Sequence, residues 1–134
     1  MRRYRAVAQE DDWGGGVACV ASVLGTSYAQ IVAKLGEKWR RKQSRKPARG
    51  PEPPAELLRR ILNDGFKDTG LVYELDGPFI GDPNALETGT IVSLASGRYL
   101  MRAADGWMDP ASAKIRKRLP EKVQMALVLT PDNE

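Results

Sequence analysis

The sequence has no histidine and a single cysteine, Cys19. Without histidine there is no imidazole base, no imidazole metal ligand and no side chain switching charge near neutral pH by its ordinary pKa. One cysteine closes no internal disulfide and builds no cysteine-rich zinc site. The residues therefore point to no metal and no cofactor. Long apolar runs are missing too, and none approaches the roughly 20 residues that cross a bilayer. Met1 is followed by Arg2, Arg3 and Arg5, but no apolar signal segment comes next. The expectation is a cytoplasmic protein without a membrane span.

What is present fits one ordinary globular domain over residues 1–134, with 42% hydrophobic and 28% charged residues. The chain turns on the stretch from Ala8 to Val20. A polar run, Gln9-Glu10-Asp11-Asp12-Trp13, meets the triplet Gly14-Gly15-Gly16 and then an apolar segment. Val17, Val20, Ala21 and Leu24 recur at helical spacing, so a buried helix begins near Gly16. Asp11 or Asp12 is expected to cap it or to complement its positive end, and Gly25 to end it. Cys19 on this apolar helix reads as a small hydrophobe. Ser27 caps a second helix with Tyr28, Ile31, Val32 and Leu35 on its inner face. A third helix is predicted from about Pro54 to Asn63, burying Leu57, Leu58, Ile61 and Leu62.

Between the second and third helices lies a basic insert at about 37–53. Lys38, Arg40, Arg41, Lys42, Arg45, Lys46 and Arg49 fall there with no acid between Lys38 and Arg49. The net charge of the chain is +4, so these seven cations leave −3 on everything else. The basicity is local. It suits phosphate groups or an acidic protein, with Trp39 as a stacking face, or a solvated loop.

The second half reads as strands. Arg3–Ala8 is a candidate leading strand. Leu71–Leu75 alternates, with Leu71, Tyr73 and Leu75 on one face. Thr90–Ala95, Arg98–Ala103 and Gln124–Thr130 follow, and Asp105-Gly106 is a hairpin signal before Trp107. Lys114, Arg116, Lys117 and Arg118 form an exposed basic segment. Helices first and antiparallel strands second give an α+β domain of two layers.

Two stretches together resemble the papain-like cysteine peptidases that cut bacteriocin precursors after a double glycine. In that family a glutamine precedes the nucleophile, which opens the central helix in a pattern of Cys, Gly, an apolar residue, Ala and Cys. That pattern falls on Gly15-Gly16-Val17-Ala18-Cys19, with Gln9 as the glutamine. A histidine then opens an apolar strand, and an Asp or Asn followed by Pro comes after a turn. Here Arg98 aligns with the histidine, with Tyr99 as the second alignment, and Asp109-Pro110 supplies the acidic pair. The likeness runs from Gln9 to Pro110. It implies a papain-like fold, with N-terminal helices packed on a C-terminal antiparallel sheet. It also implies a peptide groove lined by Trp13, Gly14, Gly16, Tyr99 and Trp107.

The chain departs from the family where the chemistry happens. A papain-like site needs a thiolate at a helix N-terminus and an imidazole to pair with it. Gly15 has no side chain, and no imidazole exists. Gln9, Gly15, Arg98 and Asp109 thus mark a vestigial site with no intact catalytic residue, and Arg98 and Asp109 are expected to form an ion pair in its place. The reading that follows is a pseudopeptidase holding a peptide or protein segment. Two alternatives stand beside it. One is a module whose basic loop binds nucleic acid or an acidic protein. The other is an inactivated variant of an active peptidase. The sequence leaves oligomeric state open.

Overall fold

The computed structural model describes residues 4–11, 13–35 and 53–131. The basic stretch from Lys38 to Arg49 lies outside them, as does Asp12. The described elements are α1 (Gly15–Leu24), α2 (Tyr28–Lys34), α3 (Ala55–Gly65) and six strands. The strands are β1 (Leu71–Asp76), β2 (Ile91–Leu94), β3 (Tyr99–Ala103), β4 (Gly106–Asp109), β5 (Lys114–Arg116) and β6 (Val123–Pro131). They form one sheet in the order β1-β6-β2-β3-β4-β5, antiparallel throughout. The fold is α+β. Among the described residues no single helix is long and apolar enough to cross a membrane.

Local signals explain the helices. Ser27 and Gln30 close a reciprocal cap on α2: the Ser27 hydroxyl accepts from the Gln30 N–H, and the Gln30 side chain accepts from the Ser27 N–H. Gly25 ends α1 in the left-handed region, φ 70°, where a side chain is strained. α1 is buried nearly all round, from Gly15 to Val23, so it is the central element rather than an amphipathic cover.

The sheet is packed on both faces. Tyr73, Ile91, Tyr99, Met101, Met108 and Leu127 meet the helices. Val92, Leu94, Leu100, Trp107, Val123 and Ala126 form a second cluster on the opposite side, covered by Phe79, Leu86 and Leu119. The connections before β2 and β6 thus act as a third, irregular layer. This is why β2 and β4 are buried at every position, without the alternation of a half-exposed strand.

One expectation changes and two gain detail. Residues 4–8 form no strand: the segment is held by the Ser22 hydroxyl, which donates to the Arg5 carbonyl, and by Tyr4 and Val7 packing on the core. Leu71, Tyr73 and Leu75 do share a face of β1, but only Tyr73 is buried. Leu71 and Leu75 are 37% and 43% exposed, because β1 is the sheet edge. The basic segment after Ala111 includes a strand, β5, with all three residues exposed. Short, charged edge strands of this kind discourage pairing with other chains.

The opposite edge is blocked differently. The Asn63 amide, on α3, accepts from the Tyr73 N–H (2.6 Å) and donates to the Tyr73 carbonyl (3.2 Å), as a neighbouring strand would. Arg59 adds a longer bond to the same carbonyl, 3.4 Å. Removing the amide takes the 2.6 Å acceptor from the Tyr73 N–H and leaves the longer Arg59 bond to its carbonyl. Asn63→Ala is therefore expected to cost about 1–3 kcal/mol. Asn63→Asp, which keeps only an acceptor, should cost less. Urea midpoints of the three proteins check the order.

Candidate functional site

The stretch from Gln9 to Gly16 is fastened from several sides. The Gln9 N–H donates to the Pro110 carbonyl at the end of β4 (2.9 Å), and the Gln9 side-chain amide donates to the Asp11 carbonyl (2.9 Å). The Gly14 N–H also donates to the Asp11 carbonyl. The Tyr28 hydroxyl donates to Asp11 Oδ2 at 2.9 Å, so α2 holds the loop through its own first residue. Burial and then the Asp11 bond push the Tyr28 phenol well above its usual pKa, and it stays a donor.

This geometry overturns the expected cap. The N-cap of α1 is Gly14, without a side-chain hydrogen bond, and its φ of −99° is open to any residue. Glycine stands there for space: a Cβ would lie 1.7 Å from the Tyr28 hydroxyl oxygen. The Asp11 carboxylate accepts from the Tyr28 hydroxyl and does not cap α1. Gly16 is crowded as well, since its Cβ would meet Leu58 Cδ1 at 2.6 Å and Tyr99 Cδ2 at 3.0 Å. The Tyr99 ring therefore lies directly on the start of α1, and its hydroxyl donates to the Pro53 carbonyl at 3.3 Å. Gly15 is the first residue of α1 and is buried.

Strand alternation then separates the remaining candidates. In β3, Tyr99 and Met101 face the helices and Leu100 faces away. Arg98 shares the side of Leu100. In β4, Met108 faces the helices and Trp107 faces away, and Asp109 shares the side of Trp107. Of the two residues aligned with the histidine of the peptidases, Arg98 thus lies on the side away from the helices and Tyr99 on the side that meets α1. Trp107 is fully buried on the far side beneath the Arg102 guanidinium, 5.1 Å from the ring centroid, so it lines no groove at α1.

The expected ion pair is present, and it is larger than a pair. Arg98 Nη2 donates to both Asp109 oxygens, at 3.0 and 3.1 Å, and Arg116 Nε donates to Oδ2 at 2.8 Å. The Ala111 N–H adds a bond to Oδ1 at 3.0 Å. Asp109 is 2% exposed, whereas both arginines keep a large exposed fraction. Burial pulls the Asp109 carboxyl up, but the Ala111 N–H, Arg116 and Arg98 together outweigh it and hold the carboxyl below its usual range. A carboxylate committed to three donors is a structural clamp joining β3, β4 and β5.

Gln9, Gly14, Gly16, Tyr99 and the Pro110 carbonyl are therefore linked through the start of α1, while Arg98, Trp107 and Asp109 lie behind the sheet. Arg116, expected only in an exposed basic segment, is the second arginine on Asp109. Its partner depends on strand register, Trp107 opposite Arg116, which no short-range signal encodes. Among the described residues no group of three or more Cys, Asp or Glu side chains is placed to hold a metal ion. No protein-family model, curated protein or solved structure matches the chain.

Proposed function

We propose that the chain is a papain-like pseudopeptidase that binds an extended peptide or protein segment at the start of α1 and leaves it intact. The observation that carries this reading is the meeting of three distant segments there. The Gln9 backbone is bonded to Pro110, Gly15 opens the buried central helix, and the Tyr99 ring rests on Gly16. These are the places where the resemblance expects an oxyanion-binding glutamine, a nucleophile and a strand-borne base. A binding role follows from what stands in them. Glycine cannot attack a carbonyl, and a tyrosine with its hydroxyl held by Pro53 does not replace an imidazole base. With Gly15 at the nucleophile position and no histidine in the chain, no thiol–imidazole pair stands there, which supports binding over cleavage.

The test is a titration of ¹⁵N-labelled full chain with a synthetic peptide carrying an internal Gly-Gly. Saturable amide shifts are expected at Gln9, Trp13 to Gly16 and Tyr99, with the peptide's mass unchanged after prolonged incubation. Shifts absent from these residues, or a cleaved peptide, would overturn the reading.

A second reading rests on charge. Lys114, Arg116, Lys117 and Arg118 are exposed along β5 and just after it, while the basic stretch at Lys38 to Arg49 lies outside the described residues. A phosphate-bearing partner would bind here with a steep loss of affinity on raising salt, whereas the peptide reading has weak salt dependence.

A further inference from the structure

Behind the sheet, away from α1, lies an open cavity of about 420 Å³. Phe79, Ile80, Gly81, Pro83 and Asn84 form one wall, and Arg118, Leu119, Glu121, Lys122 and Val123 the other. Its volume falls in the range of small-molecule pockets, roughly 300–1,000 Å³. Its walls are anchored. The Phe79 N–H donates to the Gln124 carbonyl (2.9 Å), and the Ala95 N–H donates to the Lys122 carbonyl (2.9 Å). Asp82 caps the short 3-10 turn at Pro83–Ala85 by accepting from the Asn84 N–H. Phe79, Leu119 and Val123 belong to the second apolar cluster, so the floor is continuous with the core.

Two features at the rim point to the class of ligand. Ile80 is 95% exposed beside the cavity, an apolar side chain with nothing over it among the described residues. The charges are unequal. Glu121 is already engaged, its carboxylate accepting from the Ser96 N–H (2.8 Å) and the Ser96 hydroxyl (2.9 Å). Arg118 and Lys122 make no ion pair among the described residues. A concave apolar floor with two uncommitted cations on one wall matches a molecule with an apolar body and one acidic end.

We infer that this cavity binds small amphiphilic carboxylates, with the apolar body against Phe79, Leu119 and Val123 and the carboxylate at Arg118 and Lys122. The site lies on the opposite side of the sheet from α1 and does not depend on the peptide-binding reading. The matched probes are octanoate and octan-1-ol, which share an apolar chain and differ in charge. Amide shifts of the ¹⁵N-labelled full chain follow each titration. Octanoate is expected to give saturable shifts across 79–84 and 118–123. Octan-1-ol should bind on the order of tenfold more weakly, the worth of a charge-assisted hydrogen bond. Replacing both exposed cations, Arg118→Gln with Lys122→Gln, should weaken octanoate by a similar factor and leave octan-1-ol unchanged. Absence of saturable octanoate shifts in these segments overturns the proposal. So does equal affinity for the two probes, or octanoate binding that the double substitution leaves unchanged.

Discussion

Asp109→Ala is expected to destabilise the protein by about 2–4 kcal/mol at pH 7, more than any single change at the arginines that surround it. The asymmetry comes from burial. Asp109 is 2% exposed and gathers Arg98, Arg116 and the Ala111 N–H on one carboxylate. Losing it removes the shared acceptor of three donors at once. Arg98 and Arg116 are substantially exposed, so losing either forfeits a contact that water partly replaces. The pH dependence gives a sharper check. The carboxyl of Asp109 is held below its usual range in the folded chain, and in the unfolded chain it titrates near about 3.9. Its contribution is therefore complete above the unfolded pKa and is lost as pH falls through the folded one. Urea midpoints for the native protein and Asp109→Asn should differ by a constant amount from pH 7 to about 5, and the gap should begin to narrow near about 4 and keep shrinking as the pH falls further. A gap that stays constant to pH 2 would mean that the charge of Asp109 contributes nothing.

That clamp also marks the limit of what was legible beforehand. The Arg98–Asp109 pair was expected because two aligned motifs stood opposite one another. Arg116 was not, because its place depends on β5 adding to the sheet edge. The helices were read almost whole, since Val17, Val20, Ala21, Ile31, Leu58 and Leu62 repeat at helical spacing and are all buried. What closes the ends of the sheet was invisible. Asn63 looked like the tail of a helix, yet its amide substitutes for a strand beside Tyr73. The cavity joins residues about forty positions apart and has no signature in either stretch. Spacing also could not choose between Arg98 and Tyr99 as the residue facing α1. One residue of slip along a strand exchanges the two faces of a sheet, and the choice was settled by which neighbours were apolar on each side.

The two faces also divide the work between the proposed sites. The helix side carries the start of α1, where Gln9 is half-buried and Gly14, Gly16 and the ring of Tyr99 are packed beneath Tyr28 and Leu58. The far side carries the Asp109 clamp and the cavity between Phe79 and Val123. A substitution on one face is insulated from the other by a sheet buried on both sides. Octanoate binding and peptide binding should therefore respond to separate sets of variants.

Gly14→Ala carries the second large effect, about 2–4 kcal/mol. The backbone there is not the obstacle. Its φ of −99° and ψ of 10° suit alanine, and a Gly→Ala change at a compatible site gains roughly 0.4–1 kcal/mol from the unfolded chain. The cost is steric and specific. A Cβ at residue 14 would sit 1.7 Å from the Tyr28 hydroxyl oxygen and 2.7 Å from Cζ, so the ring must move and its bond to Asp11 breaks. A double-mutant cycle isolates this. Tyr28→Phe alone removes the hydrogen bond and should cost about 1–2 kcal/mol. Introduced together with Tyr28→Phe, Gly14→Ala should cost less than it does alone, with a coupling of at least about 1 kcal/mol. Additive costs would show that something other than Tyr28 excludes the side chain. Because Tyr28 and Asp11 hold the loop that runs from Gln9 to Gly16, peptide shifts at those residues should weaken in Gly14→Ala while octanoate shifts at 118–123 persist. Loss of both together would place the effect in the fold as a whole and not in the loop.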